Sequence, residues 1–226
     1  MDSIELVVFD LAGTTIEDRG QVPETFTTVL RAHGIDVTDE ALRAARGASK
    51  REVIFRFVKE QFPGVQSDVF ARTDQIYDEF RELLARKYTD GGIGAVPGAV
   101  DTFTWLHKHG VKAAVNTGFD RAITETILGA LGWGKGTVDA VVCSNDVPQG
   151  RPAPYMIFRA MEATGVISVH RVACVGDTVL DLQAGWNAAV YWNIGVLSGA
   201  HGKDQLEQVA HTHILPSVAS LSSLWE

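Results

Sequence analysis

Asp10 closes the run Ile4 to Phe9, apolar but for Glu5, and is followed by Gly13-Thr14-Thr15. Other short, mainly apolar runs end on polar groups in the same way. Val111 to Val115 leads into Asn116-Thr117-Gly118, Ala140 to Cys143 into Ser144-Asn145-Asp146, and Val172 to Val175 into Gly176-Asp177, with Asp181 four residues further on. Crowded into one crevice, Asp10, Asp177 and Asp181 would raise one another's pKa unless a cation lay between them. An all-oxygen donor set suits a hard ion, above all Mg²⁺, which keeps waters and tolerates a substrate phosphate. The Gly- and Thr-rich backbone after Asp10 can turn its N–H groups inward as an anion cradle. Thr117 and the N–H of Gly118, at the start of a helix, offer a hydroxyl and a dipole to the same anion. Arg151, just before Pro152, supplies a fixed cation for a phosphoryl oxygen. An aspartate beside such an ion and cradle can attack phosphorus itself. The chemistry these residues support is phosphoryl transfer to water through an aspartyl-phosphate.

The elements that must position these groups follow from the apolar patterning. The run at Ile4–Phe9 is too short for a helix and apolar on both faces, which predicts a buried parallel strand. Residues 23–33, 39–46, 49–61 and 67–88 carry apolar side chains at helical spacing, as in Ile54, Phe55, Val58 and Phe62, and contain no convincing strand. That stretch ends in Gly91-Gly92-Ile93-Gly94 and Pro97-Gly98, which read as a hinge, with a second near Ile16–Gln21. From residue 99 helices and strands alternate: helix 99–109, strand 111–115, helix 120–131, strand 140–143, helix 152–164, strand 172–175, helix 179–188 and strand 191–196. Such alternation means βαβ units and a parallel sheet, with ligands bound outside the carboxyl ends of the strands. The predicted architecture is an α/β, Rossmann-like parallel-sheet core built from residues 1–15 and 96–226. A small α-helical domain, residues 16–95, is inserted after the first strand.

Composition narrows the function classes. With 226 residues, 46% of them apolar, the chain is long enough for one core domain and an insert. Its 28 acidic and 20 basic residues give a net charge of −8, which repels a phosphate backbone and argues against nucleic-acid binding. Cys143 and Cys174 sit in apolar runs and read as small core residues rather than a disulfide framework. His107, His109, His201, His211 and His213 fit no metal-ligand spacing, although His201 lies in a loop that could reach the site. Trp186 and Trp192 read as core or interface packing. No run of 18 apolar residues exists and no basic stretch precedes the first apolar run, so neither a membrane span nor a secretory signal is expected and the cytoplasm is the expected location.

Asp10-Leu-Ala-Gly-Thr-Thr15, Thr117-Gly118, Arg151-Pro152 and Gly176-Asp177-Thr178-x-x-Asp181 resemble the four ordered motifs of the haloacid dehalogenase-like superfamily of phosphohydrolases. The insert between residues 16 and 95 resembles that superfamily's small helical cap. The resemblance spans nearly the whole chain. It implies metal ligation by Asp10, Ala12, Asp177 and Asp181, and a small phosphorylated or phosphonate substrate held by Ala12, Arg46, Gly47, Thr117, Gly118 and Arg151.

Within the superfamily the details are most similar to the phosphonatases, the phosphonoacetaldehyde hydrolases. Phosphatases of the superfamily usually carry a second aspartate two residues after the nucleophile, as acid for an alcohol leaving group; here that position is Ala12. The third motif usually carries Lys, whereas this chain has Val147-Pro148-x-Gly150-Arg151-Pro152. The cap carries Gly47-x-x-Lys50, similar to the segment whose lysine forms a Schiff base with the substrate aldehyde. A carbon leaving group gains nothing from an oxygen-protonating acid, whereas an imine turns the departing carbanion into an enamine. The chain departs from the phosphonatases in having Arg46 and Val53 where they carry Met and His, and in being shorter. Arg46-Gly47-x-Ser49-Lys50 also resembles the cap loop of sugar-phosphate mutases and phosphatases, in which a basic residue only grips a distal phosphate or hydroxyls. Two enzymatic readings therefore stand side by side: C–P cleavage using Asp10 and Lys50, and hydrolysis of a small phosphate monoester. A non-catalytic ligand-binding module would not be expected to keep Asp10, Thr117, Arg151 and Asp177 together. The apolar faces of the cap helices would allow a homodimer.

Overall fold

Strand β1 (Leu6–Asp10) is buried along its whole length. In this computed structural model, which describes residues 4–134 and 136–225, it is followed by helices α1 (Gln21–Ala32), α2 (Asp39–Ala44), α3 (Lys50–Gln61) and α4 (Gln66–Gly91). The chain continues as α5 (Ala99–Lys108), β2 (Lys112–Thr117), α6 (Arg121–Leu131), β3 (Ala140–Cys143), α7 (Tyr155–Thr164), β4 (Val172–Gly176) and α8 (Val179–Asn187). It ends with β5 (Trp192–Val196), α9 (Lys203–Leu206) and β6 (His213–Leu215). Residues 1–3, 135 and 226, which the predicted core includes, lie outside the described residues.

The strands form one parallel sheet in the order β3-β2-β1-β4-β5-β6. This is the predicted α/β architecture. β1 lies at the centre, with Phe9 opposite Val115 of β2 on one side and Val175 of β4 on the other. The strand order reverses around β1, and a ligand crevice opens at such a point, outside the carboxyl ends. Side chains alternate across the sheet. Leu6, Val8, Ala114 and Cys174 pack under α7 and α8 on one face. Val7, Phe9, Val115 and Val175 face the other way, into an apolar cluster that runs on through Phe26, Ile54 and Phe80 of the inserted helices. Both cysteines are buried.

The chain crosses between sheet and insert on two adjacent segments. Ile16 bridges to Ala95, and Val96 N–H donates to Thr15 O at 2.9 Å. α7 begins at Tyr155, three residues later than expected, because Pro152 and Pro154 hold the preceding residues in a turn. β6 and α9 escape the sequence reading: three half-buried edge residues and a four-residue helix are too short to show a period. Trp186 is exposed, so it is not core packing, whereas Trp192 stacks edge-on against Trp225. No helix among the described residues is long and apolar enough to cross a membrane.

Candidate active site

Asp10 is the last residue of β1, Thr117 the last of β2, and Asp177 follows the last residue of β4. Their position at strand ends puts them in one crevice, and a cavity there is lined by Asp10, Thr117, Gly118, Arg151 and Asp177 from the core side. Carboxylate oxygens of Asp10, Asp177 and Asp181 lie within 4.8 Å of one another. Arg151 sits between two of them. Its Nη1 is 2.7 Å from Asp10 Oδ1 and its Nε 2.9 Å from Asp181 Oδ1, with the side chains almost wholly buried. Arg151 Nη2 also donates to the side-chain and backbone oxygens of Asn116, and Nη1 to Gly47 O at 3.2 Å. The guanidinium is therefore locked by fixed partners on every side. The sequence places Asn116 among the polar groups at the strand ends without a role of its own, and the structure makes it a partner of Arg151.

The two other carboxylates are held differently. Asp181 lies in the first turn of α8, where its Oδ2 accepts from Thr178 N–H at 3.0 Å and Thr178 Oγ1 at 2.5 Å while Thr178 Oγ1 caps the helix. With Oδ1 on Arg151, both oxygens are engaged, so Asp181 orients Arg151 and stands behind the other two acids. Asp177 is completely buried and accepts from Thr14 Oγ1 at 2.9 Å and Ala200 N–H at 2.7 Å. Burial raises the Asp10 carboxyl from 3.8 to about 6 in spite of Arg151, with Asp181 adding to the rise. Burial, then the carboxylates of Asp10 and Asp181, raises Asp177 well above its ordinary range. Three buried acids thus face two buried cations, Arg151 and Lys50. Uncompensated negative charge in a dry site is the condition a divalent cation relieves, and the oxygen donors fit a hard one.

The insert supplies the rest of the cavity wall. Lys50 is the first residue of α3, and its N–H donates to Gly118 O at 3.2 Å. Its Nζ donates to Ala48 O at 3.2 Å and lies 4.7 Å from the centre of the Phe119 ring. Burial lowers its pKa from 10.5 to about 8, against the opposing pull of Asp10. Arg46 also lines the cavity, paired through Nη1 with Asp18 Oδ2 at 2.8 Å. Ala12 lines it without a functional side chain. Gly47 has φ +86°, and a Cβ there would lie 2.4 Å from Thr178 Oγ1. A Cβ on Gly118 would lie 2.5 Å from Ala48 O. Gly118 lets the core loop meet the backbone of Gly47 and Ala48, and Gly47 lets the insert loop lie against the Thr178 and Leu180 side chains. Gly47→Ala is expected to lower kcat/KM by about tenfold to a hundredfold, since a strained left-handed residue costs about 1–3 kcal/mol before the clash is counted. Steady-state kinetics beside a thermal melt checks this.

Two expected contributors lie elsewhere. Ser144-Asn145-Asp146 form a 3₁₀ turn that braces α6, with Asn145 Oδ1 accepting from Arg121 N–H at 3.0 Å and Asp146 paired to Arg121. They do not line the cavity. The fourth strand end therefore adds no polar group to the crevice. His201 is buried behind the site, its Nδ1 accepting from Val179 N–H at 3.0 Å, and it does not line the cavity either.

A family model for haloacid dehalogenase-like hydrolases matches residues 4–188. The phosphonoacetaldehyde hydrolase of Parabacteroides distasonis is 32% identical over 211 residues, covering 89% of this chain and 79% of that protein. The bifunctional phosphonoacetaldehyde hydrolase/aminoethylphosphonate transaminase of Clostridioides difficile is 30% identical over 210 residues, covering 88% of this chain. The chain spans about a third of that relative, 32% of its length. Among solved structures, a hydrolase from Pseudomonas syringae superposes with a TM-score of 0.84 at 21% identity over 97% of both chains. A phosphonoacetaldehyde hydrolase-like protein from Oleispira antarctica superposes with a TM-score of 0.83 at 24% identity, over 98% of this chain and 91% of that one. These two share the fold. With the family model covering the sheet strands that carry Asp10, Thr117 and Asp177, the chain belongs to the haloacid dehalogenase-like hydrolases and is a phosphohydrolase of that family.

Proposed function

We propose that this hydrolase cleaves the carbon–phosphorus bond of phosphonoacetaldehyde or a close relative. The observation that carries the reading is Lys50: a buried amine in the same cavity as Asp10, its pKa lowered to about 8, with no carboxylate hydrogen-bonded to it among the described residues. Such a lysine is a nucleophile for a carbonyl, while a lysine that grips anions keeps an ordinary pKa in water. Ala12 supports the same reading, because it leaves no acid at the position where an ester oxygen would be protonated.

In this reading Thr117 and the N–H of Gly118 hold the phosphoryl oxygens, and Arg151, its N–H groups taken by Asp10, Asp181, Asn116 and Gly47, adds a fixed positive charge beside them. The Lys50 amine adds to the substrate carbonyl and expels water, giving an iminium. An Asp10 carboxylate oxygen attacks phosphorus as the C–P bond breaks, and its electron pair moves into the carbon framework to form the enamine. The enamine carbon takes up a proton, and water hydrolyses the imine to release acetaldehyde and free Lys50. A second water attacks the aspartyl-phosphate, releasing phosphate and restoring Asp10. Asp10 and Asp177, with the backbone of Ala12 beside them and Asp181 behind, are the residues that would hold Mg²⁺. When bound, the ion neutralises charge on the phosphoryl group. Asp181 and Asn116 keep the Arg151 fork in place. The insert, closed over the crevice, keeps bulk water from the iminium.

Borohydride added with phosphonoacetaldehyde is expected to inactivate the enzyme and leave a reduced two-carbon adduct on Lys50, seen by peptide mass spectrometry. The rate of trapping should rise with pH through about 8, because only the free amine adds to the carbonyl and a lowered lysine pKa puts that form within reach. Lys50→Arg should lose both adduct and C–P cleavage, since guanidinium stays protonated. An enzyme indifferent to borohydride that hydrolyses phosphate esters with Lys50→Arg intact would instead be a monoester phosphatase.

A further inference from the structure

The two halves of the cavity differ in chemistry. The core side carries Asp10, Thr117, Arg151 and Asp177, while α1, α2 and the loop after them present Val22, Pro23, Phe26, Leu42 and Ala45, and the core adds Phe119. Phe26, Leu42, Ala45 and Phe119 are buried. Three charged groups of the insert reach this wall, and two of them, Asp18 and Arg46, are paired with each other. Asp18 Oδ1 accepts from Gly20 N–H at 2.9 Å, and its Oδ2 takes Arg46 Nη1 at 2.8 Å. Lys50 stands beside the Phe119 ring, at the border between the two halves.

We infer that the cavity also admits a short hydrocarbon chain beyond the carbonyl of the leaving group, so that the substrate class is the 2-oxoalkylphosphonates, of which phosphonoacetaldehyde is the shortest, rather than hydroxylated or doubly phosphorylated compounds. The inference rests on the C–P reading above and names the substrate class within it. A sugar hydroxyl set against α1 and α2 loses its water and finds no donor or acceptor there, which weakens binding by roughly fivefold to a hundredfold per hydroxyl. A second phosphate at this wall meets the Asp18 carboxylate beside Arg46, whose charge offsets the pull of the guanidinium. A methylene meets Phe26 and Leu42 and gains about fourfold in affinity. The cavity is small, about 50 Å³, and the phosphoryl group shares it, so only the first few carbons of a chain can lie against the wall.

n-Alkylphosphonates test this without the imine, because they have no carbonyl and their C–P bond is not activated. Their binding to the Mg²⁺-loaded enzyme is measured by calorimetry from methyl- to hexylphosphonate, with 3-hydroxypropylphosphonate as the size-matched partner of butylphosphonate. Affinity is expected to rise about fourfold per carbon over the first additions and then fall. Butylphosphonate should bind at least fivefold more tightly than its hydroxylated partner. Leu42→Asn should shrink or reverse that ratio. Val22→Ser, at a half-buried position, does the same if Leu42→Asn fails to fold. A flat chain-length series, tighter binding of the hydroxylated partner, or no detectable binding of the whole series at millimolar concentration overturns the inference. Absent C–P cleavage or Lys50 trapping overturns the phosphonatase reading instead, and leaves the chain-length result standing.

Discussion

Asp10→Asn is expected to lower turnover by about 10⁴- to 10⁶-fold, the range seen when a covalent nucleophile or its partner is removed. The amide keeps the shape of the side chain and its oxygen can still accept from Arg151 Nη1, so the fold should persist. Stability should rise. The Asp10 carboxyl, raised from 3.8 to about 6 by burial, is held ionised at neutral pH at a cost that the fold bears. The sign follows from linkage. A raised carboxyl pKa means the folded state favours the neutral acid, so the penalty is complete above about pH 6 and absent below about pH 4. The neutral amide avoids it. Thermal melts in EDTA are expected to show Asp10→Asn more stable than the parent at pH 7.5, by on the order of 1–3 kcal/mol or a few degrees, and no more stable at pH 4. Acid-quenched single turnovers should trap an acyl-phosphate on Asp10, which borohydride reduces to homoserine at that position. No trapped acyl-phosphate, with inversion of configuration at a chiral phosphorus, would mean that water attacks phosphorus directly.

Asp177→Asn is expected to cost several kcal/mol of transition-state stabilisation, roughly 10³-fold in Mg²⁺-dependent phosphate release. Asp177 is the most deeply buried of the three acids, and burial with the charges of Asp10 and Asp181 makes its carboxylate the group most in need of a cation. A readout independent of turnover goes with it. In the parent, Mg²⁺ at about a hundred times its dissociation constant should stabilise the fold by about 2.7 kcal/mol. Asp177→Asn should lose most of that gain while its EDTA-treated melt stays within a few degrees of the parent's. An unchanged Mg²⁺-induced shift in Tm would place the ion elsewhere. The buried hydrogen bonds from Thr14 Oγ1 and Ala200 N–H can still be accepted in part by the amide, which is why Asn rather than Ala is the informative substitution.

Local patterns determined much of this protein. The runs before Asp10, Asn116 and Gly176 are short, mainly apolar and punctuated by polar turns, so strand ends and the residues on them could be read directly. The four helices between residues 21 and 91 announce themselves by 3.6-residue spacing over 6 to 26 residues, even where propensity alone is weak. What lacks a period was invisible: the three residues of β6 at the sheet edge, and the turn Ser144–Asp146, whose polar groups serve α6 rather than the crevice.

Only the tertiary structure decided which charges meet. Arg151 bridges Asp10 and Asp181, residues 141 positions before it and 30 after it in the chain, and no spacing rule joins them. Sequence leaves open whether Lys50 is a solvated surface cation or a buried amine. Packing of the Gly47–Lys50 loop against Gly118 and Phe119 buries it and draws its pKa down to about 8. Arg46 lines the cavity as a cation already paired with Asp18, 28 positions before it, and the apolar wall of Phe26 and Leu42 exists only once α1 and α2 are folded over the strand ends. The physical reason is the same in each case. Strand and helix follow from interactions between near neighbours in the chain, whereas burial, ion pairing and pKa depend on groups that only folding brings within a few ångströms of one another.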